Sequence, residues 1–200
     1  MGVLPGDQNI IHETIYGFPM SFVTVEGLFS PKAIDAGTLA MLSCCELSKG
    51  QKVHDLGCGY GVVGVACAKI AGAEFVYMSD VDSQAVLIAK ENALRNDVPQ
   101  VSVICSDGYR DFEESGFDVI LCNPPYHSDF SVAKHFIEKG FNRLKIDGRM
   151  FMVVKRLEWY KRKFIAVFGG VKVHRTGGYF VLEACKREWR YAGKSRREGI

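Results

Sequence analysis

Between residues 52 and 185, short continuous apolar runs alternate with longer segments whose apolar residues recur every three or four positions. The runs at 52–56, 74–79, 101–105, 117–122 and 149–154 predict strands. The periodic segments at 61–70, 83–96, 130–144 and 159–168 predict helices, with Ser83 as the N-cap of the second. Two further strands at 171–175 and 179–185 read as a closing pair joined by Gly177 and Gly178. Upstream, Gly27 to Pro31 reads as a turn and residues 34–47 as a helix. The first 25 residues carry no clear pattern.

Strands separated by helices mean β-α-β units and a mostly parallel sheet, an α/β architecture. Runs such as Val119-Ile120-Leu121 suit strands covered on both faces. The expected organisation is one domain over residues 1–200. It has a leading segment at 1–47, a core at 48–186 and a basic tail at 187–200. In such sheets ligands lie beyond the C-terminal ends of the strands, near the topological switch point.

The formal charge is only +2, but its distribution is uneven. Basic residues gather late: Lys155, Arg156, Lys161, Arg162 and Lys163, then Lys186, Arg187, Arg190, Lys194, Arg196 and Arg197. This is compatible with a polyanion partner, and equally with a solvated surface. The seven cysteines include no C-x-x-C pair and no zinc-like spacing, so no metal site is expected and a reduced, cytoplasmic setting is. No apolar stretch approaches the roughly 18 residues of a membrane span.

The first core strand runs into Asp55-Leu56-Gly57-Cys58-Gly59-Tyr60-Gly61. Glycines there permit a tight turn and close approach to a bulky ligand, at the N-terminus of the next helix. Gly59, Gly61 and Gly64 also fit the dinucleotide fingerprint, and Asp80 follows at the spacing that fingerprint asks for. Asp55 argues the other way. An acid two positions before the first glycine would repel a pyrophosphate, whereas it suits the ammonium and sulfonium of S-adenosylmethionine. The expected cofactor residues are Asp55, Gly57, Cys58, Gly59, Gly61, Asp80, Val81, Asp107 and Asn123. Asp80 or Asp82 would accept from ribose hydroxyls, and Ser106-Asp107 would hold the adenine amine.

The fourth core strand ends at Asn123-Pro124-Pro125-Tyr126. Two prolines fix φ at successive residues, and Asn123 before them is driven to an extended conformation. The stiff turn presents the Asn123 side chain and the Pro124 carbonyl as acceptors, with Tyr126 as a flat surface. A planar exocyclic amine needs such acceptors to localise its lone pair and to stabilise the charge that grows on nitrogen as a methyl group arrives. Candidate catalytic residues are therefore Asn123, Pro124, Pro125 and Tyr126. Phe29, Tyr126, His127, Lys155 and Arg156 are the candidate substrate contacts, with Arg175 a further basic residue on that side. His127 also reads as an ordinary polar loop residue.

These motifs, with the upstream Phe29-Ser30-Pro31 and Asp35-Ala36-Gly37-Thr38, resemble the small-domain (MTS) group of class I S-adenosylmethionine-dependent methyltransferases. The likeness covers roughly residues 25–186. It is greatest to the 16S ribosomal RNA guanine-N2 methyltransferases. The resemblance implies a Rossmann-like, seven-stranded sheet of order 3-2-1-4-5-7-6 with helices on both faces. It also implies an RNA partner, ribosomal RNA or the small ribosomal subunit, and closure of Phe29 and Thr38 over the site. This chain lacks the length for the additional N-terminal domain of the larger ribosomal enzymes. Asn-Pro-Pro-Tyr also occurs in enzymes that methylate a release-factor glutamine and in adenine-N6 methyltransferases, so those substrates stay open. A non-catalytic binding module and a dehydrogenase are the remaining alternatives.

Overall fold

The computed structural model describes residues 8–124 and 130–195. The chain runs β1 (Gln8–Ile15), β2 (Phe18–Val25), α1 (Ala36–Cys44), β3 (Val53–Leu56), α2 (Val62–Ala71), β4 (Val76–Asp80), α3 (Ser83–Arg95) and β5 (Ser102–Cys105). It continues through β6 (Phe117–Cys122), α4 (Phe130–Arg143), β7 (Leu144–Val154), α5 (Leu157–Phe168), β8 (Lys172–Thr176), β9 (Tyr179–Cys185) and a short α6 (Ala192–Ser195). Seven strands form one sheet in the order β5-β4-β3-β6-β7-β9-β8. Counted from β3, this is the expected 3-2-1-4-5-7-6. Strands β3 to β7 pair in parallel, and β9 runs antiparallel to both its neighbours.

Both faces of the sheet are buried, because alternate residues of one strand serve opposite cores. On β6, Val119 and Leu121 join the core that includes α2 and α3, while Ile120 and Cys122 join the one that includes α4 and α5. On β7, Phe151 and Val153 face one way, and Met150 and Met152 the other.

Three features differ from the sequence expectation. Asp82, not Ser83, caps α3: its Oδ1 accepts from the Gln84 amide at 2.8 Å. Strand β7 begins at Leu144 rather than near Arg149, with a register shift against β6 between Phe117 and Val119. The early part of β7 passes so close to β6 that a Cβ on Gly148 would lie 2.6 Å from the Phe117 carbonyl oxygen. The third feature is the N-terminal hairpin β1–β2, which turns at Tyr16 and Gly17. Both have positive φ, 53° and 82°, the signature of a type I′ turn. Tyr-Gly is a weak sequence signal for that turn beside Asn-Gly, which is why the pattern does not declare it.

The hairpin docks through its backbone. Asn92 lies in the last turn of α3 and Asn96, its C-cap, follows four residues on, a rise of about 6 Å. Ser21 and Val23 lie two residues apart on β2, about 6.6 Å. The matched spacings let each carboxamide pair with one strand residue as a neighbouring strand would. Asn92 accepts from the Val23 amide at 2.7 Å and donates to its carbonyl at 2.8 Å. Asn96 does the same for Ser21, at 3.1 and 2.8 Å. Asn92 also donates to the Tyr60 carbonyl at 2.8 Å, joining hairpin, helix and glycine loop.

Asn92→Ala strands a buried amide and two carbonyls. We expect it to lower stability by about 3 kcal/mol and the melting temperature by roughly 6–12 °C. Asn96→Ala, less buried at its strand partner, should cost less. Thermal melts of both variants check this. A shift under about 2 °C for Asn92→Ala would mean that side-chain packing alone holds the hairpin.

Candidate active site

The loop from Gly57 to Gly61 leaves β3 and enters α2. Gly57, Gly59 and Gly61 all have positive φ, at 74°, 53° and 91°. Strand β4 fixes this shape. The amides of Gly57 and Cys58 both donate to the Ser79 carbonyl, at 2.8 and 3.0 Å. The Gly59 amide donates to Asp80 Oδ2 at 2.8 Å, and Asp80 Oδ1 accepts from the Asp82 amide at 3.0 Å. Behind them, the buried His54 touches the Ser79 hydroxyl at 2.9 Å and Tyr109 Oη at 3.3 Å. Burial drives the His54 pKa down to about 3, so this support stays neutral.

The loop borders a cavity of about 420 Å³ at the C-terminal ends of β3, β4, β5 and β6. Gly57 and Gly59 line it, and a Cβ on either would meet nothing within 4 Å. That space lets a ligand reach the backbone. Gly61 is not among the residues that line the cavity. Its role is packing: a Cβ there would come 3.1 Å from the Ala89 side chain of α3. Gly64 likewise serves the close approach of α2 to Met78.

Cys58, Asp80, Val81 and Asp107 line the cavity, with Val81 68% exposed. Asp107 also pairs with Arg110 at 3.4 Å. Asp55 lines it but is more enclosed than a surface acid, at 2% exposure. One of its oxygens accepts from the Gly64 amide at 2.9 Å. Burial pushes its pKa up to about 7, against the pull of that hydrogen bond.

Asn123 lies where β6 ends, on the same cavity, with Pro124 beside it. Its Nδ2 donates to Asp35 Oδ1 and to Thr38 Oγ1, both at 2.9 Å. Asp35 caps α1, accepting from the Thr38 amide at 3.2 Å. Its other oxygen accepts from the Tyr179 hydroxyl of β9 at 3.4 Å. The sequence places Asp35 in the upstream segment without giving it this contact. An aspartate three residues before Thr38 signals a helix cap, but no local pattern connects it to Asn123. Tyr60 also escapes sequence reasoning: buried under the loop, it donates to the Ser30 carbonyl at 3.4 Å. Phe29 lines the cavity. Pro125, Tyr126 and His127 lie outside the described residues.

Charge divides this edge of the sheet. Among the described residues, the cavity lining holds five aspartates (Asp35, Asp55, Asp80, Asp82 and Asp107) and no Lys, Arg or His. A pyrophosphate would be repelled there and a cationic ligand attracted. Beyond Asn123 the sign reverses. Lys155 and Arg156 follow the end of β7, outside the cavity, and Arg175 lies near the end of β8; all three are exposed. The Lys155 ammonium sits over the Tyr179 ring at 5.4 Å, and the Arg175 guanidinium over Phe180 at 5.5 Å.

The family model described as "Methyltransferase small domain" matches residues 19–183. The chain belongs to the methyltransferase small-domain family. Its family is one of methyltransferase domains. The acid-lined, glycine-floored cavity fits a cationic ligand. The chain is 28% identical to YbxB of Bacillus subtilis (strain 168), over 83% of this chain and 86% of that one. It is 32% identical to the ribosomal RNA large subunit methyltransferase G of Pseudomonas putida (strain KT2440), over 84% of this chain and 46% of that one. Among solved structures, it is similar to the Thermus thermophilus 16S rRNA N2 G1207 methyltransferase, a complex with AdoMet and guanosine. That match has a TM-score of 0.84 and 27% identity, covering 93% of this chain and 52% of that one. The chain thus spans about half the length of these ribosomal RNA enzymes and most of YbxB.

A cationic cofactor held by Asp55 would bind in a pH-dependent way. A cation favours the ionised carboxylate, whereas the protein alone holds a proton there below about pH 7. Affinity for S-adenosylmethionine should therefore weaken as pH falls below 7, by up to about tenfold per unit. The stability of the protein alone moves oppositely. A carboxyl pKa raised in the folded state contributes stability at low pH that is lost as pH rises through 7. Calorimetry at pH 6, 7 and 8 checks the affinity, and Asp55→Asn should flatten the profile. A flat profile in the unaltered protein would remove Asp55 from cofactor recognition.

Proposed function

We propose that this methyltransferase modifies an exocyclic amino nitrogen of a nucleobase in RNA, with guanine N2 of ribosomal RNA as its target. The observation that carries the reading is the anchoring of Asn123. Its Nδ2 is committed to Asp35 and Thr38, which puts the carbonyl oxygen on the opposite side of the carboxamide. An amine approaching that oxygen meets an acceptor. The guanosine bound in the related Thermus enzyme and the RNA specificity in its name support the choice of base and polymer. The reading carries with it a partner in ribosomal RNA or the small ribosomal subunit, and a cytoplasmic location. Among the described residues, no helix is long and apolar enough to cross a membrane.

In this mechanism Asp55, Asp80 and the open backbone at Gly57 and Gly59 would hold S-adenosylmethionine, with Val81 and Asp107 at its adenine end. When bound, the cofactor supplies a methyl carbon made electrophilic by its sulfonium. Asn123 Oδ1 and the Pro124 carbonyl accept the two amine hydrogens, localise the nitrogen lone pair and stabilise its growing positive charge. Tyr126, outside the described residues, is the side chain the sequence offers for stacking on the base. The excess proton leaves the methylated nitrogen for solvent, so no strong base is required. Alignment of the reacting groups supplies most of the acceleration.

Lys155, Arg156 and Arg175 receive the RNA backbone in this reading. They occupy strand ends successively farther from Asn123, with Arg175 three strands away, or about 14 Å at the usual strand spacing.

Two measurements test the proposal. Transfer of labelled methyl to undermethylated ribosomal RNA, followed by nucleoside digestion, should yield N2-methylguanosine. Asn123→Ala should cut the turnover number about 10²- to 10³-fold while cofactor affinity changes less than about twofold. N6-methyladenosine would move the assignment to adenine, and label on release-factor glutamine to a protein substrate. Separately, log affinity for RNA should fall linearly with log salt. Removing Lys155, Arg156 or Arg175 should flatten the slope by about 0.7 each. An unchanged slope would take the RNA off that edge.

A further inference from the structure

Asn123 cannot orient itself. The two ends of a carboxamide are nearly the same size, and only their partners decide which one faces the substrate. A half-turn of this side chain would present N–H groups to an amine that also carries N–H groups. The contact would then oppose the reaction.

Two acceptors prevent that turn. Nδ2 of Asn123 donates to Asp35 Oδ1 and Thr38 Oγ1, both at 2.9 Å, which uses both of its hydrogens. The carboxylate is the more decisive of the two. A hydroxyl can donate or accept, whereas an ionised carboxylate only accepts. Asp35 is itself fixed from two directions. It caps α1 through the Thr38 amide, and it accepts from the Tyr179 hydroxyl on β9 at 3.4 Å. Two elements distant from β6 in sequence thus act on the nitrogen side of this amide, α1 directly and β9 through Asp35. A negative acceptor on that nitrogen also shifts electron density toward Oδ1 and makes it a stronger acceptor.

We propose that Asp35 is a positioning residue for methyl transfer, holding Asn123 with its oxygen toward the target amine and polarising it. This rests on the assignment of Asn123 as the amine acceptor.

The test is a double-mutant cycle between Asp35 and Asn123, read by steady-state kinetics, S-adenosylhomocysteine calorimetry and thermal melts. Asp35→Asn keeps an oxygen for the Thr38 amide and for Asn123, so the α1 cap and the melting temperature should hold. It loses the charge and the fixed preference. Its turnover number should fall about tenfold, with KM for RNA and affinity for S-adenosylhomocysteine little changed. Asp35→Ala, which frees Asn123 to turn, should lose about 10²-fold. In an Asn123→Ala background, either Asp35 substitution should add almost nothing, because its partner is already gone.

Additive losses in the cycle would overturn the proposal, since Asp35 would then act independently of Asn123. A fall in S-adenosylhomocysteine affinity matching the fall in turnover would make Asp35 a cofactor ligand instead. Full activity in Asp35→Asn and Asp35→Ala would also overturn it. Failure of the underlying assignment looks different: Asn123→Ala alone would then retain activity.

Discussion

The end of β4 holds the glycine loop in a shape it would not otherwise keep. Three left-handed residues in five cost the chain much of its conformational freedom. The return comes from one carbonyl, Ser79, that receives two amides, and one carboxylate, Asp80, that receives two more. Remove that grip and the cavity loses its floor, the N-terminus of α2 loses its place, and Asp55 loses the Gly64 amide that steadies it. His54 secures Ser79 from behind, with its ring stacked on Phe112 at 4.4 Å. Its neutrality matters, because a charge there would have no counter-ion in the centre of the sheet.

The second organising fact is that the glycine loop and Asn123 are held by separate parts of the fold that meet at one cavity. The β3–β4 half supplies the loop and its acids. The β6 end supplies Asn123, but α1 and β9 decide how it points. The N-terminal hairpin has no share in the sheet, yet Asn92 connects it to the loop through the Tyr60 carbonyl.

Much of this is legible in the sequence because it follows from local pattern. Apolar runs and helical spacing locate all seven sheet strands and the main helices. The Asp-x-Gly-x-Gly-x-Gly loop and Asn-Pro-Pro-Tyr stand at strand ends where the topology rule puts chemistry. What stays hidden depends on contacts between distant residues. Asp35 reaches Asn123 across 88 positions, and Asn92 reaches Val23 across 69. A residue such as Gly61 can satisfy a binding motif and still serve helix packing. The hairpin escapes because a Tyr-Gly turn is uncommon chemistry for its shape, and because its docking partners are two asparagines that look like ordinary surface residues. Asp82 outranks Ser83 as a cap by one position, within the usual uncertainty of a helix end.

The division of charge along the sheet edge has a consequence at long range. A formal charge of +2 suggests a protein that polyanions would barely notice. Five aspartates on one side of Asn123 and exposed cations on the other make the domain a dipole across that edge. Within a Debye length, about 8 Å at physiological salt, a negatively charged polymer feels a torque as well as an attraction. It is turned before it touches, repelled from the acid-lined cavity and drawn to the flank beside Asn123. Orientation on approach is thus encoded in the separation of charge, which the net charge conceals.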